Sequence, residues 1–383
     1  MKSIFVFSLF AILVCSQKNA DAQNTVDTLI DAGGYRLHFH IIRGAGVPIL
    51  FESGGGNDGT VWNQLLNPIA GITGATLITY DRAGFGKSEI DTNKHGILNG
   101  IKGLEIALKK LGYEGNIMLA AHSLGGFYAT LYASRNPEKV KAAVLFDAAH
   151  MCFYNDKRVK ATQAIIDRQV KSKKDPGNYY ISMDFLNTIE VMRKAPFPLN
   201  IPVLDIVSDK TPFSDSTDIR DWKRCHQDFG ESNPNRKGMI AYGTGHYIFE
   251  DNPALAVEAI VNEYALLVND EERNRLFKRA FEYSFKAEND EKKADIAYYH
   301  SEEDINSWGY QLLRRGEKQK ALEVFKLNTM LHPESFKVYY SEAYAYAQLG
   351  DEENAIKNYK HSLELNPQNS AAAEYIRQHE TKK

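Results

Sequence analysis

Ala120-Ala121-His122-Ser123-Leu124-Gly125-Gly126 decides how the rest of the chain reads. Before it runs Asn116-Ile117-Met118-Leu119-Ala120, short and apolar, the signature of a buried strand. After it, Phe127-Tyr128-Ala129-Thr130-Leu131-Tyr132-Ala133 has a helical apolar pattern. A serine therefore stands on a tight strand-to-helix turn among small residues. Larger side chains at the flanking positions would collide with the neighbouring strand and helix. The hydroxyl stands at the sheet's edge, and the helix N-terminus beneath it favours negative charge through its dipole and free N–H groups.

The chain of 383 residues is 43% hydrophobic and 25% charged, enough to bury a sizeable core. Its formal net charge of -3 gives no reason to expect nucleic acid or an anionic membrane as partner. Met1-Lys2-Ser3 is a short basic start, Ile4 to Cys15 is almost wholly apolar, and Ala20-Asp21-Ala22 has the A-x-A form of a signal-peptidase site. Residues 1–22 are thus expected to be a signal peptide, and the mature chain to be exported, periplasmic or secreted. The apolar run is too short for a stable membrane span, and no other stretch is long and apolar enough. Val14 is too large for the residue ahead of a lipidated cysteine, which disfavours anchoring through Cys15. Cys152 and Cys225 remain; they form one disulfide or stay as two separate thiols, and are too few for a cysteine metal site.

Further elements follow from pattern. Tyr35–Ile42 alternates as a strand, with His38 and His40 on one face and no third ligand, so both read as ordinary strand histidines. Val47–Glu52 is a second strand and runs into Ser53-Gly54-Gly55-Gly56-Asn57-Asp58-Gly59, with Trp62 beyond. That glycine-rich loop lacks the Lys-Ser/Thr of a P-loop and the G-x-G-x-x-G spacing, which disfavours nucleotide binding. Thr76–Tyr80 is a third strand, ending in Asp81-Arg82-Ala83-Gly84-Phe85-Gly86-Lys87-Ser88. Gly100–Leu111 reads as an amphipathic helix with Ile101, Leu104, Ile106, Leu108 and Leu111 inward and Gly112 as its C-cap. Val140–Phe146 is the strand after the serine turn and ends in Asp147. Residues 151–200 are polar and largely helical, most clearly over Ala161–Val170. Ile201–Val207 and Lys237–Tyr242 return to strands, followed by Ser208-Asp209-Lys210-Thr211-Pro212 and Gly243-Thr244-Gly245-His246-Tyr247 respectively; a helix starts at Ala254.

Together these features resemble the α/β-hydrolase family. The small-x-Ser-x-Gly turn is similar to its nucleophile elbow, with Ala121 in place of the first glycine. The D-R-x-G-x-G-x-S stretch at 81–88 resembles the turn after the strand that precedes the elbow in the family. Gly-x-Gly-His after a late strand resembles its catalytic-histidine loop. The resemblance implies a hydrolase domain over residues 28–267 with a helical cap at about 151–200 that carries substrate selectivity. It implies Ser123 as nucleophile, His246 as base, and the N–H groups of Gly55 and Leu124 as oxyanion donors. His122, Asp81 and Arg82 read as structural. The acid departs from the family pattern. Aligning Ser208 with the family's strand-end glycine puts Thr211 where the carboxylate belongs. Two substitutes remain open, Asp147 and Asp209, with Asp147 preferred. The implied activity is hydrolysis of carboxylic esters through a Ser-His-Asp triad and an acyl-enzyme, with amide or peptide hydrolysis next and no metal or organic cofactor. The alternative is an inactive hydrolase fold used for binding.

Residues 268–301, rich in Glu, Lys, Arg and Asn, read as an exposed helical linker with Phe277, Phe281 and Phe285 at helical spacing. Beyond it Gly316 and Gly350, Ala321 and Ala355, Phe325 and Tyr359, and Pro333 and Pro367 each lie 34 apart. That period, with small residues where helices pack, resembles tetratricopeptide repeats over 302–372. It implies a protein partner or plain packing. The expected architecture is thus an α/β-hydrolase fold with a helical cap insertion, followed by an all-α tetratricopeptide-like repeat domain.

Overall fold

The computed structural model describes residues 25–169, 174–293, 302–314 and 316–380. The expected signal peptide 1–22, Cys15, Val170 and residues 294–301 of the expected linker lie outside the described residues. The chain divides into two compact units, one up to Ala280 and one from Phe281.

The first unit is built on an eight-stranded sheet of order β1-β2-β4-β3-β5-β6-β7-β8. Its strands are β1 Thr25–Asp31, β2 Arg36–Ile42, β3 Gly46–Glu52, β4 Ala75–Tyr80, β5 Ile117–His122, β6 Val140–Phe146, β7 Val203–Ser208 and β8 Arg236–Ala241. The pairs from β4-β3 through to β7-β8 are parallel. In β4 and β5 every residue is buried, as a parallel sheet covered on both faces requires. The edge strand β1 instead alternates between exposed and half-buried positions and pairs antiparallel with β2. The Thr-Val-Asp-Thr-Leu-Ile-Asp alternation is the sequence signal of this edge strand, which lies outside the strands expected from pattern.

Helices α1 Asn63–Thr73, α2 Ile97–Leu111, α3 Gly125–Arg135, α4 Asp156–Gln169, α5 Pro176–Met183, α6 Phe185–Met192 and α7 Ser216–Glu231 join the strands, and α8 Ile248–Asp251 and α9 Pro253–Tyr264 follow β8. The three helices α4 to α6 form the insertion between β6 and β7, where a cap was expected. Helix α2 begins earlier than its sequence pattern indicated. Asp184, from the insertion, accepts the Ile97 N–H at 3.3 Å and so supplies a cap from a distant part of the chain. Ile106 corrects the expected inward face: it is 40% exposed, while Ile97, Ile101, Leu104, Ala107 and Leu108 are buried. Position 106 falls between the rows that a 3.6-residue period places inward.

Trp62 is fully buried at the centre of this unit. Its ring lies 5.3 Å from Phe51, 6.0 Å from Phe146 and 4.4 Å from Phe249, so one side chain joins β3, β6 and α8.

The described part of the expected linker carries the helix α10 Asp270–Lys293, which is not simply exposed. Leu276 and Ala280 are fully buried. Arg279 donates to the carbonyls of Ile72 at 2.8 Å and Gly71 at 2.6 Å, meeting orphan acceptors at the end of α1. In the second unit α11 Glu302–Arg314, α12 Lys318–Leu331, α13 Phe336–Leu349, α14 Glu352–Leu365 and α15 Ser370–Glu380 stack in chain order. Small residues allow the approach. Ala321, Ala343 and Ala355 are fully buried, and a Cβ on Gly309 would come within 2.4 Å of the Phe325 ring.

Truncating the aromatic junction tests this packing. Trp62→Ala is expected to destabilise the first unit by about 3–5 kcal/mol, and Trp62→Phe by less. Urea unfolding of the full chain, followed by circular dichroism, measures both.

Candidate active site

The elbow is held by backbone strain and close approach. Ser123 has φ 52°, in the left-handed region. Its N–H donates to Phe146 O at 3.2 Å, and its carbonyl accepts from Gly126 N at 2.9 Å and Ala149 N at 2.8 Å. The two glycines that follow are sterically required. A Cβ on Gly125 would sit 2.5 Å from Glu52 O, and one on Gly126 would sit 2.7 Å from Ala148 Cβ. Ala121, where the family more often has glycine, is fully buried in β5.

His246 lies on the loop after β8. Its Nε2 is 2.9 Å from Ser123 Oγ and its Nδ1 is 2.6 Å from Asp147 Oδ2. The loop is shaped by the Gly245 N–H, which donates to Asp251 Oδ2 at 2.6 Å. His122 holds it from below: its Nε2 donates to His246 O at 3.0 Å, and the two rings lie 4.6 Å apart. Burial, aided by the neighbouring His246, pushes the His122 imidazole down to about 3, so it stays neutral and serves as a donor.

Asp147 follows β6, the strand beside the elbow strand, at φ 43°. It is fully buried and fully used. Oδ2 also accepts from Ser208 Oγ at 2.8 Å, while Oδ1 accepts from Ser208 N at 3.1 Å and Trp222 Nε1 at 2.8 Å. Burial acts to raise this carboxyl. The hydrogen bond from His246, the charge of His226 and the bond from Trp222 outweigh burial and hold it below the usual aspartate value. Asp209, the other candidate acid, is not brought to His246. It accepts from Gly243 N at 3.4 Å and pairs with Lys223 at 3.4 Å. Thr211 is likewise not among the groups around His246.

The glycine-rich loop after β3 faces the elbow. A Cβ on Gly55 would lie 3.5 Å from Leu124 Cδ2, which places the two expected oxyanion residues side by side. Arg82 gives the loop its shape by donating to the carbonyls of Ser53 and Gly54, with its guanidinium 4.8 Å over the Tyr128 ring. Glu52 lies 3.6 Å from Arg82, yet burial pushes its carboxyl up to about 7. Asp81 fixes the next turns by accepting from Gly59 N at 2.9 Å and Lys87 N at 2.8 Å. The cap reaches the same loop, since a Cβ on Gly56 would meet Asn178 of α5 at 3.6 Å.

His38 bridges Asp81, through Nδ1 at 2.9 Å, and Asp27, through Nε2 at 2.9 Å. It lines a cavity of about 360 Å³ with Asp27, Asp81 and Lys87, but none of Ser123, His246 and Asp147 lines it. Among the described residues one His/Asp group has its ligand atoms within 4.8 Å of one another: His150, Asp205 and His226. His226 Nδ1 lies 2.7 Å from Asp205 Oδ2. Ligands held by one zinc ion at tetrahedral angles sit roughly 3.3 Å apart, so this is a hydrogen-bonded cluster and not a metal cage. Trp222 and His226 have no local signature in the sequence, because α7 meets Asp147 only through the packing of β6, β7 and α7.

The buried acid sets a pH dependence. A carboxyl lowered by folding adds stability that is complete above the usual aspartate value of 3.8 and is lost as pH falls through the folded value. Asp147→Asn is therefore expected to be less stable than wild type by about 1–3 kcal/mol near pH 6. The gap should narrow as pH drops below about 3.8. Thermal unfolding of both proteins across pH measures it.

Comparison with known proteins bears on the fold. A family model described as the alpha/beta hydrolase fold matches residues 47–164, and a tetratricopeptide repeat model matches 336–369. The uncharacterized protein YqjL of Bacillus subtilis (strain 168) is 26% identical over 223 residues, covering 56% of this chain and 83% of its own. Among solved structures, epoxide hydrolase VrEH1 from Vigna radiata is similar with a TM-score of 0.50 at 16% identity, over 62% of this chain and 97% of its own. The esterase EaEST from Exiguobacterium antarcticum has a TM-score of 0.48 at 17% identity, over 62% and 99%. At such identities the structural likeness concerns the fold alone. The first unit thus has the α/β-hydrolase fold, and tetratricopeptide-like repeats follow in the second.

Proposed function

We propose that this chain is an exported serine hydrolase that cleaves carboxylic esters. One observation carries the reading: Ser123 Oγ, His246 Nε2, His246 Nδ1 and Asp147 Oδ2 form a continuous hydrogen-bonded chain, with links of 2.9 and 2.6 Å. In the proposed reaction His246 takes the Ser123 proton as the oxygen attacks the ester carbonyl. Asp147 holds the imidazole in the tautomer with Nδ1 protonated and stabilises its cation. The Gly55 and Leu124 N–H groups receive the oxyanion. His246 returns its proton to the leaving alcohol, and water then releases the acyl group by the same steps in reverse. The substrate is a small-molecule ester; an amide demands a poorer leaving group from the same site. The helical repeats are the region proposed to meet a protein partner.

Export is supported by the apolar run and A-x-A site at the N-terminus. The Cys152–Cys225 disulfide, with Cα atoms 5.5 Å apart, also favours an oxidising compartment. This resolves the pairing that the sequence left open.

Hydrolysis of p-nitrophenyl esters of graded chain length tests the chemistry. Ser123→Ala should lose turnover, Asp147→Asn should lower kcat by about 10³–10⁴-fold, and Asp209→Asn should stay within about twofold of wild type. Failure of a fluorophosphonate to label Ser123 in folded protein would refute the reading and favour a binding role. Expression in a bacterial host tests export separately: the N-terminus of the secreted or periplasmic product should begin at Gln23.

A further inference from the structure

Behind Asp147 lies a second acid–histidine pair that the proposed reaction does not use. His226, on α7, is 2% exposed. Its Nδ1 is 2.7 Å from Asp205 Oδ2, and Asp205 Oδ1 is 3.0 Å from His150 Nε2. Because an ionised carboxylate only accepts, both ring nitrogens must donate to Asp205. The other nitrogen of His226, Nε2, is buried without a hydrogen bond and lies 4.0 Å from Asp147 Oδ1.

That arrangement constrains the proton. In a neutral His226, with Nδ1 donating to Asp205, Nε2 carries a lone pair. The lone pair would then face a carboxylate in a dry interior, acceptor against acceptor. A proton on Nε2 turns the contact into attraction and gives two buried carboxylates a shared cation. Among the described residues, no Lys or Arg forms an ion pair with Asp147; His246 and His226 are the groups that do.

The other elements around His226 are consistent. From the loop after β6 come Asp147 and His150, whose ring meets His226 edge-on at 4.8 Å. From β7 comes Asp205. From β8 comes Arg236, whose guanidinium sits 4.2 Å over Phe229 and acts on Asp205 and His150. From α7 itself come Trp222, with its ring at 4.9 Å, and Cys225, whose disulfide to Cys152 ties the helix to the segment after Asp147. Burial opposes charge on His226, but Asp205 and then Asp147 outweigh it and raise its proton affinity, whereas burial keeps His150 low.

We propose that His226 is a positioning residue for the catalytic acid: protonated on Nε2 and anchored by Asp205, it is the buried counter-cation of Asp147. The proposal rests on the serine-hydrolase reading for its effect on rate. A positive charge behind Asp147 holds that carboxylate ionised and opposes a second positive charge on His246. Removing it should therefore make His246 easier to protonate and move the acid limb of the pH–rate profile upward.

Two measurements test this. In the full mature chain labelled with ¹⁵N-histidine, NMR should show His226 with both ring nitrogens protonated at pH 7.5, where an ordinary histidine is mostly neutral. Asp147→Asn should lower the His226 titration midpoint by about one pH unit, since coupling between two sites is reciprocal. In the second measurement, His226→Gln should shift the acid limb of kcat/KM upward by about one pH unit, roughly a tenfold loss on the acid side. A merely structural role would lower activity evenly across pH. A neutral His226 at pH 7.5 in wild type overturns the proposal, whether or not the variants fold. A midpoint that ignores Asp147→Asn, or a stoichiometric metal ion in the purified protein, also overturns it. If wild type turns over no ester and resists fluorophosphonate, the serine-hydrolase reading falls, and the NMR arms still decide whether His226 is the counter-cation of Asp147.

Discussion

A fully buried carboxylate is costly unless its hydrogen-bonding capacity is met, and at the rim of the sheet Asp147 is such a carboxylate. Its donors arrive from separate parts of the chain: Ser208 from the end of β7, Trp222 from α7 and His246 from the loop after β8. Loss of any one leaves a charged oxygen short of a partner in a site without water access, which explains why so much of the sheet's second half converges there. Parallel strand order supplies the convergence. β6, β7 and β8 are neighbours, so their C-terminal ends open on one rim.

The other half of the rim is governed by steric closeness. Ser123 and Asp147 are the non-glycine residues with positive φ among those described. Both follow adjacent strands, β5 and β6, and Ser123 is bonded to Phe146 and Ala149 on either side of Asp147. Ser123 and Asp147, the proposed nucleophile and acid, are thus placed by one strained junction. Arg82 and Asp81 play the equivalent part for the glycine-rich loop, one by gripping its carbonyls and the other by gripping the N–H groups of flanking turns. What they support is the loop that faces the serine.

The repeat unit follows simpler physics. A Gly or Ala at fixed spacing lets one helix approach the next, and the aromatic partner fills the remaining space, as Phe325 does against Gly309 and Tyr310. Glycines at helix ends take the left-handed conformation that stops each helix, φ 78° at Gly316 and 80° at Gly350. Because these contacts are local and periodic, a single sequence carries them openly.

The same distinction runs through the whole chain. Local pattern alone determined the buried strands, the elbow with its small neighbours, the histidine loop and the 34-residue repeat, because each depends on residues close in sequence. It also narrowed the proposed acid to Asp147 or Asp209 with Asp147 preferred, since both end or follow a strand and both precede His246 in the chain. Their positions relative to His246 are a matter of tertiary structure. It brought Asp147 within 2.6 Å of His246 and turned Asp209 toward Lys223. It also started α2 at Ile97 with a cap from Asp184, turned Ile106 outward, paired Cys152 with Cys225, and set Trp222 and His226 behind Asp147. Each of these joins residues far apart in sequence. Such contacts leave no periodicity to read, and come into being only when the sheet closes and the cost of desolvation drives most buried polar groups to a partner.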